Sequence, residues 1–327
     1  MALFAAGPDA YEVDFQNDEA MRLALKVDVD TLRGTREGVP SLIALFQRLD
    51  VNATFLFSVG PDHTGRALRR LLRPGFLAKV LRTSVPSTYG LRTLAYGTVL
   101  PGPDIGRKAA GPMRAAREAG FEVGLHAWDH VRWQDAVARK GPAWTEREWE
   151  RGLEAYTRVF GELPDCCGAA GWQINDTVLE LESAANMRWA SDTRGTAPFY
   201  PRLNGRVLDC LQVPTTLPTM DEMIGLDGVT ADNVGERLVE RVAEQPAELH
   251  VFTLHAELEG GPLVGQFERA LVGWREAGAE LCSVGEAVAA LDIPALPMAV
   301  VERGAVPGRA GRLATHSPRV LRERHGA

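Results

Sequence analysis

The sequence of 327 residues lacks the features that mark exported and membrane-spanning proteins. Its four cysteines follow neither a disulfide framework nor a CxxC metal spacing, so reduced thiols in a cytosolic setting are the economical interpretation. Residues 1–20 are acidic and lack the basic-then-apolar pattern of a signal peptide, and no apolar run reaches transmembrane length. We therefore expect a cytoplasmic protein without a membrane span.

The sequence also has no excess of positive charge. Lysine and arginine number 36 against 43 aspartates and glutamates, which gives a formal charge of −7 and excludes general nucleic-acid binding by the protein as a whole. What the sequence does contain is 45% hydrophobic residues, enough for the core of one large domain.

Short apolar strands alternate with amphipathic helices along most of the chain. The first strand, residues 22–30, is apolar at alternate positions, and a helical pattern over residues 39–49 leads to a second strand at 52–58. About seven such repeats predict a single α/β barrel over residues 21–296. We expect a flexible leader before it (1–20) and a loose tail after it (297–327), which is rich in Arg, Gly and Pro.

Residues 63–103, called the basic insertion below, contain no acidic residue although the protein is acidic. Basic side chains alternate there with leucine, phenylalanine and tyrosine, a composition typical of segments that lie among anionic lipid headgroups. The residues expected at a membrane or lipid-phosphate surface are Arg69, Arg70, Arg73, Lys79 and Arg82. An ordinary solvated helix pair or a basic dimer contact is the alternative.

Several side chains that can bind metal or transfer protons follow predicted strands. They are Asp28, Asp30, His126, His130, Asp192 and His255. In parallel α/β folds the carboxyl ends of strands meet at one face, so these groups should lie close together. If the chain turns helical after Leu125, the two neighbouring histidines share one helix face and can bind one ion. Surface or N-cap histidines are the alternative.

One carboxylate and two histidines make a facial triad that leaves positions for water and substrate. A metal ion held there would lower the pKa of a bound water and polarise a carbonyl oxygen. A second carboxylate could then accept a proton, and a remote histidine could protonate a leaving amine. The combination predicts a metal-dependent amide hydrolase, with one divalent ion such as Zn, Mn or Co. The spacing alone does not say whether Asp28 or Asp30 binds it.

Three segments resemble motifs of the polysaccharide deacetylase family with the NodB homology domain: Asp28–Asp30, His126–His130 and Leu254–His255. The resemblance extends, over roughly residues 22–310, to a subgroup that acts on a formamido sugar carried by a lipid. The segments that carry it are Asp28–Pro40 (DVDTLRGTREGVP), Phe57–Asp62 (FSVGPD), Gly124–His130 (GLHAWDH), Ala169–Trp172 (AAGW), Pro214–Thr219 (PTTLPT) and Leu254–Glu257 (LHAE). It implies a distorted (β/α) barrel of about seven strands.

The resemblance also implies a role for each motif position. Asp30, His126 and His130 match the metal ligands, Asp28 the general base, and His255 the histidine that protonates the leaving amine. The residues expected to hold the oxyanion or contact the substrate are Gly171, Trp172, Asp192, Arg194 and Arg36. The family's third motif has an arginine that orients the base, whereas Ala169–Trp172 has none, so Arg194 or Arg36 could substitute for it.

The implied reaction is removal of formyl from 4-deoxy-4-formamido-L-arabinose on undecaprenyl phosphate, giving formate and the free amino sugar. This step belongs to lipid A modification and polymyxin resistance, at the cytoplasmic face of the inner membrane. One alternative is a deacetylase of another N-acylated amino sugar, although a cell-wall substrate would require export. Another is a non-catalytic lipid-phosphate binding protein, which the presence of both aspartates and all three histidines disfavours.

Overall fold

The computed structural model describes residues 21–67 and 91–316, and its centre is a curled parallel sheet. The strands are β1 (Arg22–Val29), β2 (Thr54–Ser58), β3 (Glu122–Ala127), β4 (Cys166–Cys167), β5 (Trp189–Ala190), β6 (Tyr200–Leu203), β7 (Arg206–Val207), β8 (Leu211–Gln212), β9 (Leu249–His255), β10 (Glu280–Cys282), β11 (Met298–Ala299), β12 (Val301–Gly304) and β13 (Leu313–His316). Of these, β1–β5 and β8–β10 form the sheet, and the others form small antiparallel and mixed pairs at its margin.

Most connections between the sheet strands contain helices, as parallel strands require. The helices are α1 (Val39–Leu49), α2 (Leu91–Ala95), α3 (Ile105–Lys108), α4 (Ala110–Glu118), α5 (His130–Ala136), α6 (Pro142–Phe160), α7 (Asp176–Ala184), α8 (Met220–Met223), α9 (Val234–Ala243), α10 (Val264–Glu276) and α11 (Val284–Ala289). Across the described ranges, none of them combines the length and apolar character needed to span a membrane.

Strand β1 is the central strand of the sheet. It pairs with β9 along one edge, and with β10 and then β2 along the other. From β2 the order continues through β3, β4, β5 and β8. Just beyond β8, the N–H groups of Thr216 and Leu217 donate to the Val251 carbonyl of β9 at 3.1 and 3.3 Å, so the sheet curls almost back onto itself. The fold is thus the predicted distorted (β/α) barrel.

Side chains alternate between the two faces of β1, as the period of a strand demands. Val27 and Val29 join the large core between the sheet and the helices, whereas Ala24 packs with the smaller cluster inside the curl. Lys26 and Asp28 share the parity of Ala24 and also point inward. The barrel interior therefore receives charged groups from its central strand, directly below the carboxyl ends where the candidate site lies.

The outer core is aromatic where α1 and α10 cover the sheet. The Phe46 ring of α1 lies 5.8–6.1 Å, between ring centroids, from Phe55, Phe121 and Phe267. All four rings are buried, and burial of such a side chain stabilises the fold by roughly 1.5–3 kcal/mol. This packing fixes α1, and through it the loop that follows β1.

Two glycines in that loop permit a close approach of backbones. A Cβ at Gly38 would lie 2.0 Å from the Ala256 carbonyl oxygen, and one at Gly34 would lie 2.0 Å from Glu257 Oε1. Any other residue would push the loop away from the end of β9. The glycines of the DVDTLRGTREGVP segment therefore dock the β1 loop against the segment that follows His255.

The tail is structured as far as residue 316, so the prediction of a loose tail from residue 297 was wrong for this part. β12 pairs with β13, and the Arg194 N–H donates to the Ala314 carbonyl at 2.9 Å. The tail's composition suggested a loop, but Arg309 reaches Glu222 at 2.5 Å and anchors the segment to the barrel. The leader, residues 317–327 and most of the basic insertion lie outside the described residues.

Candidate active site

The sequence-predicted residues meet at the carboxyl ends of strands β9, β1 and β3, of which β9 and β1 are adjacent and β3 is separated from β1 by β2. Asp28 and Asp30 come from β1 and the position after its end, His126 from β3, and His255 from β9. Asp28 and His255 are direct cross-strand partners in the parallel register. Adjacent parallel strands end at the same edge, so residues separated by more than 200 positions in the sequence meet there.

Asp30, His126 and His130 form a compact donor cluster. Nε2 of His126 lies 3.3 Å from Asp30 Oδ1, and Nε2 of His130 lies 3.3 Å from Asp30 Oδ2. The donor atoms of the three residues all lie within 4.8 Å of one another. Asp30 Oδ1 and His126 Nε2 are buried atoms without a hydrogen-bond partner among the described residues. One carboxylate and two imidazoles with unsatisfied donor atoms fit a divalent ion.

The tautomer of His126 is set by its other ring nitrogen. Nδ1 lies 2.7 Å from the Gly168 carbonyl oxygen, which can only accept, so Nδ1 carries the proton. This leaves Nε2, which faces Asp30, as the ring nitrogen that could bind a metal. Burial opposes protonation of His126, but Asp28 and Asp30 raise its pKa. Burial likewise opposes ionisation of Asp30, yet the imidazoles of His130 and His126 hold its pKa well below the usual range.

The two histidines do not share one helix face, which was the condition attached to their spacing. His126 lies in strand β3, and His130 is the first residue of α5. Their rings are nevertheless 5.3 Å apart between centroids, because the chain turns between strand and helix. Asp129 stabilises this turn: its side chain caps α5 by accepting from the Arg132 N–H at 3.0 Å, and it bonds His63 Nδ1 at 2.6 Å.

Asp28 lies one layer deeper than Asp30. Its Oδ1 is 3.9 Å from His126 Nδ1, and its Oδ2 is 3.6 Å from the Nζ of Lys26. At this separation opposite charges attract by roughly 4 kcal/mol at an effective dielectric constant of about 20, and the cost of burying both charges offsets much of that. Burial lowers the pKa of Lys26, whereas Asp28 and Asp192 act in the opposite direction.

His255 projects into the site from β9, and two buried glutamates follow it in the chain. The His255 N–H donates to Glu259 Oε2 at 2.8 Å. Glu257 Oε1 accepts from the N–H groups of Asp30 and Thr31, at 3.1 and 2.8 Å. Burial raises the pKa of each glutamate to about 8. His255 Nδ1 is buried and has no hydrogen-bond partner in the described part of the chain, which leaves it available to a ligand.

The Ala169–Trp172 turn lies beside the site, but its aromatic side chain is internal. Gly171 and Trp172 have positive φ of 62° and 52°. The Trp172 N–H donates to the Ala169 carbonyl at 3.0 Å, so this N–H is used within the turn and not by an oxyanion. Its indole is buried and donates to Thr215 Oγ1 at 3.1 Å. Oxyanion binding at Gly171 stays a prediction.

Asp192 and Arg194 are structural in their contacts. Asp192 is fully buried, and its carboxylate accepts from the Ala169 N–H at 2.6 Å and from Gln212 at 2.8 Å. Arg194 is buried against Trp172 and pairs with Glu222 at 2.6 Å. Both side chains are engaged within the protein, and their contact with a substrate stays a prediction.

Arg36 is exposed and donates to the Lys108 carbonyl at 3.0 Å. Neither this arginine nor Arg194 contacts Asp28 in the described part of the chain, and the role of either in orienting the base stays a prediction. Sequence reasoning missed Lys26, which does contact Asp28, although its alternation with Asp28 along β1 was a usable signal. The residues Arg69, Arg70, Arg73, Lys79 and Arg82 lie outside the described residues.

Comparison with known proteins supplies the family. No protein-family model matches the chain. A curated protein from Shewanella sediminis (strain HAW-EB3), named probable 4-deoxy-4-formamido-L-arabinose-phosphoundecaprenol deformylase ArnD, is 38% identical over 303 residues, which cover 93% of this chain and 97% of that protein. A protein of the same name from Wigglesworthia glossinidia brevipalpis is 32% identical over 282 residues, covering 86% of this chain and 97% of that one.

Solved structures share the fold at low identity. A putative polysaccharide deacetylase from Mycobacterium smegmatis superposes with a TM-score of 0.60 at 15% identity, covering 91% of this chain and 99% of that one. A probable polysaccharide deacetylase from Pseudomonas aeruginosa PAO1 gives 0.56 at 13% identity, covering 82% and 90%. Since the curated relatives match over nearly their whole length, the chain belongs to the 4-deoxy-4-formamido-L-arabinose-phosphoundecaprenol deformylase family, built on the polysaccharide deacetylase fold.

Proposed function

We propose that this protein is a metal-dependent hydrolase that removes the formyl group from undecaprenyl phosphate-linked 4-deoxy-4-formamido-L-arabinose. The observation that carries the proposal is the donor cluster of Asp30, His126 and His130 beside Asp28 and His255, in a chain of this family. The products are formate and the lipid-linked 4-amino sugar.

Asp30, His126 and His130 would hold the ion, with Zn, Mn and Co as candidates. When bound, such an ion would lower the pKa of a coordinated water and polarise the formyl oxygen. Asp30 Oδ1 and His126 Nε2, which have no hydrogen-bond partner among the described residues, support this assignment. The cluster is buried on one side and open at His130, so one side remains for water and substrate.

The proton transfers fall to Asp28 and His255, cross-strand partners that lie beside the cluster. Asp28 Oδ1, buried and unpaired, would accept a proton from the attacking water as its oxygen adds to the formyl carbon. His255 would give a proton to the sugar nitrogen as the carbon–nitrogen bond breaks, so that the amine leaves neutral. The oxygen of the water ends in formate, and the net reaction is hydrolysis of the formamide by one water molecule.

The cellular context is also part of the proposal. The amino-sugar product would serve lipid A modification and polymyxin resistance, and the protein would work at the cytoplasmic face of the inner membrane. The acid-free basic insertion supports contact with anionic lipid and with the carrier phosphate. It begins beside the site, since His63 contacts Asp129, the residue before His130.

Mass spectrometry of the formamido-arabinose lipid, before and after incubation with protein and each metal, tests the reaction. We expect loss of the formyl group together with release of formate. Turnover of an N-acetyl amino sugar, with no turnover of this lipid, would favour the deacetylase alternative. Lipid binding without hydrolysis under any metal would favour a non-catalytic binding protein.

A further inference from the structure

A fully buried lysine lies inside the barrel, and the proton transfers proposed above do not use it. Lys26 is on β1, two residues before Asp28, and its side chain has no exposed surface. Lysine is rarely buried unless it is paired. Because side chains alternate along a strand, Lys26 and Asp28 share the interior face, with the lysine one layer below the aspartate.

The position of the Lys26 ammonium is defined from several sides. Nζ lies 3.6 Å from Asp28 Oδ2 and donates to the Ser191 carbonyl at 3.3 Å. It also lies 5.3 Å from the centroid of the Trp172 ring, within the range of a cation–π contact. The ammonium is therefore held by Ser191, the residue after β5, and by the Trp172 ring, as well as by Asp28 on β1.

The two oxygens of Asp28 consequently have different surroundings. Oδ2 faces the lysine, while Oδ1 is buried and has no hydrogen-bond partner among the described residues. Oδ1 lies 3.9 Å from His126 Nδ1, whose proton is already donated to the Gly168 carbonyl. One oxygen is thus fixed, and the other faces the donor cluster with its lone pairs unused.

The other cations near Trp172 are bound to Glu222. Arg194 and Arg309 both stack on the Trp172 ring, 4.9 and 4.7 Å from its centroid, and both bind Glu222. In the part of the chain that the structure describes, Lys26 is the basic side chain other than histidine that contacts Asp28.

We propose that Lys26 is a positioning residue for Asp28: it holds Oδ2 so that Oδ1 is presented to the water that attacks the formyl group. The proposal rests on the function proposed above, in which Asp28 is the general base. Lys26, on the same strand as Asp28, would thus orient the base, a role that the sequence analysis suggested for Arg194 or Arg36.

The test compares Lys26→Met, which is nearly isosteric but uncharged, with Lys26→Arg, which keeps the charge. We expect Lys26→Met to bind metal like the wild type and to keep its KM. Its kcat should fall roughly 10–100-fold, the scale for partners that orient a functional group. Lys26→Arg should recover most of that loss. If Lys26→Met does not fold, Lys26→Gln replaces it, because it keeps a donor but no charge.

A matched control separates orientation from general loosening of the barrel. Cys282→Ala alters the same interior at the other end of β1, where Cys282 pairs with Ala24, and it should leave kcat unchanged. Wild-type kcat in folded, metal-loaded Lys26→Met would overturn the proposal. Equal losses in Lys26→Met and Lys26→Arg would also overturn it, since they would indicate packing. So would a raised KM at constant kcat, which would indicate substrate contact.

Crystal structures of Lys26→Met and Lys26→Arg give a readout that does not depend on the substrate. We expect the Asp28 carboxylate to turn away in the uncharged variant and to keep its place in Lys26→Arg. An unmoved carboxylate in both would refute the positioning role. If the wild type does not act on the formamido-arabinose lipid, the proposed function fails, yet these structures still decide what Lys26 does.

Discussion

At the scale of single residues, the candidate site consists of atoms that the fold has buried without satisfying them. Asp30 Oδ1, His126 Nε2 and His255 Nδ1 have no hydrogen-bond partner in the described ranges. Each such atom costs about 1–3 kcal/mol when nothing replaces its lost water. A cluster of them at the ends of three strands indicates a place built for a ligand rather than for stability.

The first prediction concerns metal binding. Asp30→Ala, His126→Ala and His130→Ala should each abolish both bound metal and activity, because two remaining ligands hold a divalent ion poorly. Elemental analysis after purification, together with turnover of the formyl lipid, checks this. His250→Gln is the control, since His250 is buried near the start of β9, where it bonds Gln245 and Thr216 away from the cluster. Any ligand variant with wild-type metal content and turnover would be removed from the ligand set.

The second prediction separates proton transfer from metal binding. Asp28→Asn should keep the metal but lose rate by roughly 10²–10⁴-fold, the usual contribution of general acid–base catalysis. His255→Ala should behave similarly, with a larger loss for substrates whose amine leaves less readily. Measuring metal content and kcat for each variant distinguishes a role in proton transfer from a role in metal binding. An empty site in Asp28→Asn would show that Asp28, and not Asp30, is the carboxylate ligand.

The third prediction concerns stability and pH. Burial raises the pKa of Glu259 in the folded protein to about 8. In the unfolded chain the pKa of a glutamate is about 4.3. The folded state keeps a proton that the unfolded state releases, so stability is complete below the unfolded pKa. It falls as pH rises towards the folded pKa, by roughly 1 kcal/mol per pH unit.

Glu259→Gln removes this titration and keeps an acceptor for the His255 N–H. Its free energy of unfolding, from urea titrations between about pH 5 and pH 8, should therefore fall less steeply than that of the wild type. Glu268→Gln, at an exposed glutamate paired with Arg48, should leave the slope unchanged. Identical slopes for Glu259→Gln and wild type would mean that Glu259 is already ionised in the folded protein.

At the scale of elements, the site depends on two loops that touch. The loop after β1 carries Asp30, and the segment that follows His255 at the end of β9 carries Glu257. Glu257 joins the two by accepting from the Asp30 and Thr31 N–H groups. Gly34 and Gly38 allow this contact, since a Cβ at either would lie 2.0 Å from the facing segment. The loops therefore position the metal ligand and the proposed acid together.

The fourth prediction tests that contact. Gly38→Ala forces the added methyl against the Ala256 carbonyl and should destabilise the protein by roughly 1–3 kcal/mol, the usual cost of overpacking. It should also lower activity, because Asp30 and His255 would separate. Gly111→Ala is the control: it lies in α4 with no atom within 4 Å of its Cβ position, and it should be neutral or slightly stabilising. Thermal unfolding and turnover are measured for both variants. Equal effects of Gly38→Ala and Gly111→Ala on stability and activity would contradict the role of Gly38 in docking the two loops.

At the scale of the whole molecule, the sequence predicted the barrel and five of the groups at its mouth. Alternation along β1 and the strand-then-histidine pattern before His126 were enough, since strand ends converge in any parallel sheet. The prediction that His126 and His130 share one helix face was wrong, because the same spacing also fits a strand followed by the start of a helix. The burial of Lys26 was not predicted, because lysine is rarely buried in proteins and only the curl of the sheet encloses it here.

The fifth prediction concerns the basic insertion and the membrane. Each lysine or arginine near an anionic leaflet contributes about 1 kcal/mol of attraction, which salt screens. Charge reversal of Arg69, Arg70 and Arg73 should release the protein from anionic vesicles in sedimentation assays. It should also raise KM for the undecaprenyl-linked substrate while sparing a short-chain soluble analogue.

Charge reversal of Lys140, Arg147 and Arg158, which are exposed on and near α6, is the matched control for net charge. It should leave vesicle binding and both KM values close to those of the wild type. Equal losses on the lipid-linked and the soluble substrate in the Arg69, Arg70 and Arg73 variant would instead assign the insertion to the fold or the active site.

The pairing of β1 with β9 also has a consequence for biosynthesis. Asp30 and Glu257, which contact each other, are 227 residues apart in sequence. During synthesis, β1 therefore cannot pair with β9 until most of the chain has been translated. Such non-local contacts slow folding and leave strand edges exposed on the ribosome. A nascent chain that stops before β9 has both aspartates and both donor histidines but lacks the strand that completes the centre of the sheet. We therefore expect truncated products to aggregate or be degraded rather than to persist as partly active enzyme.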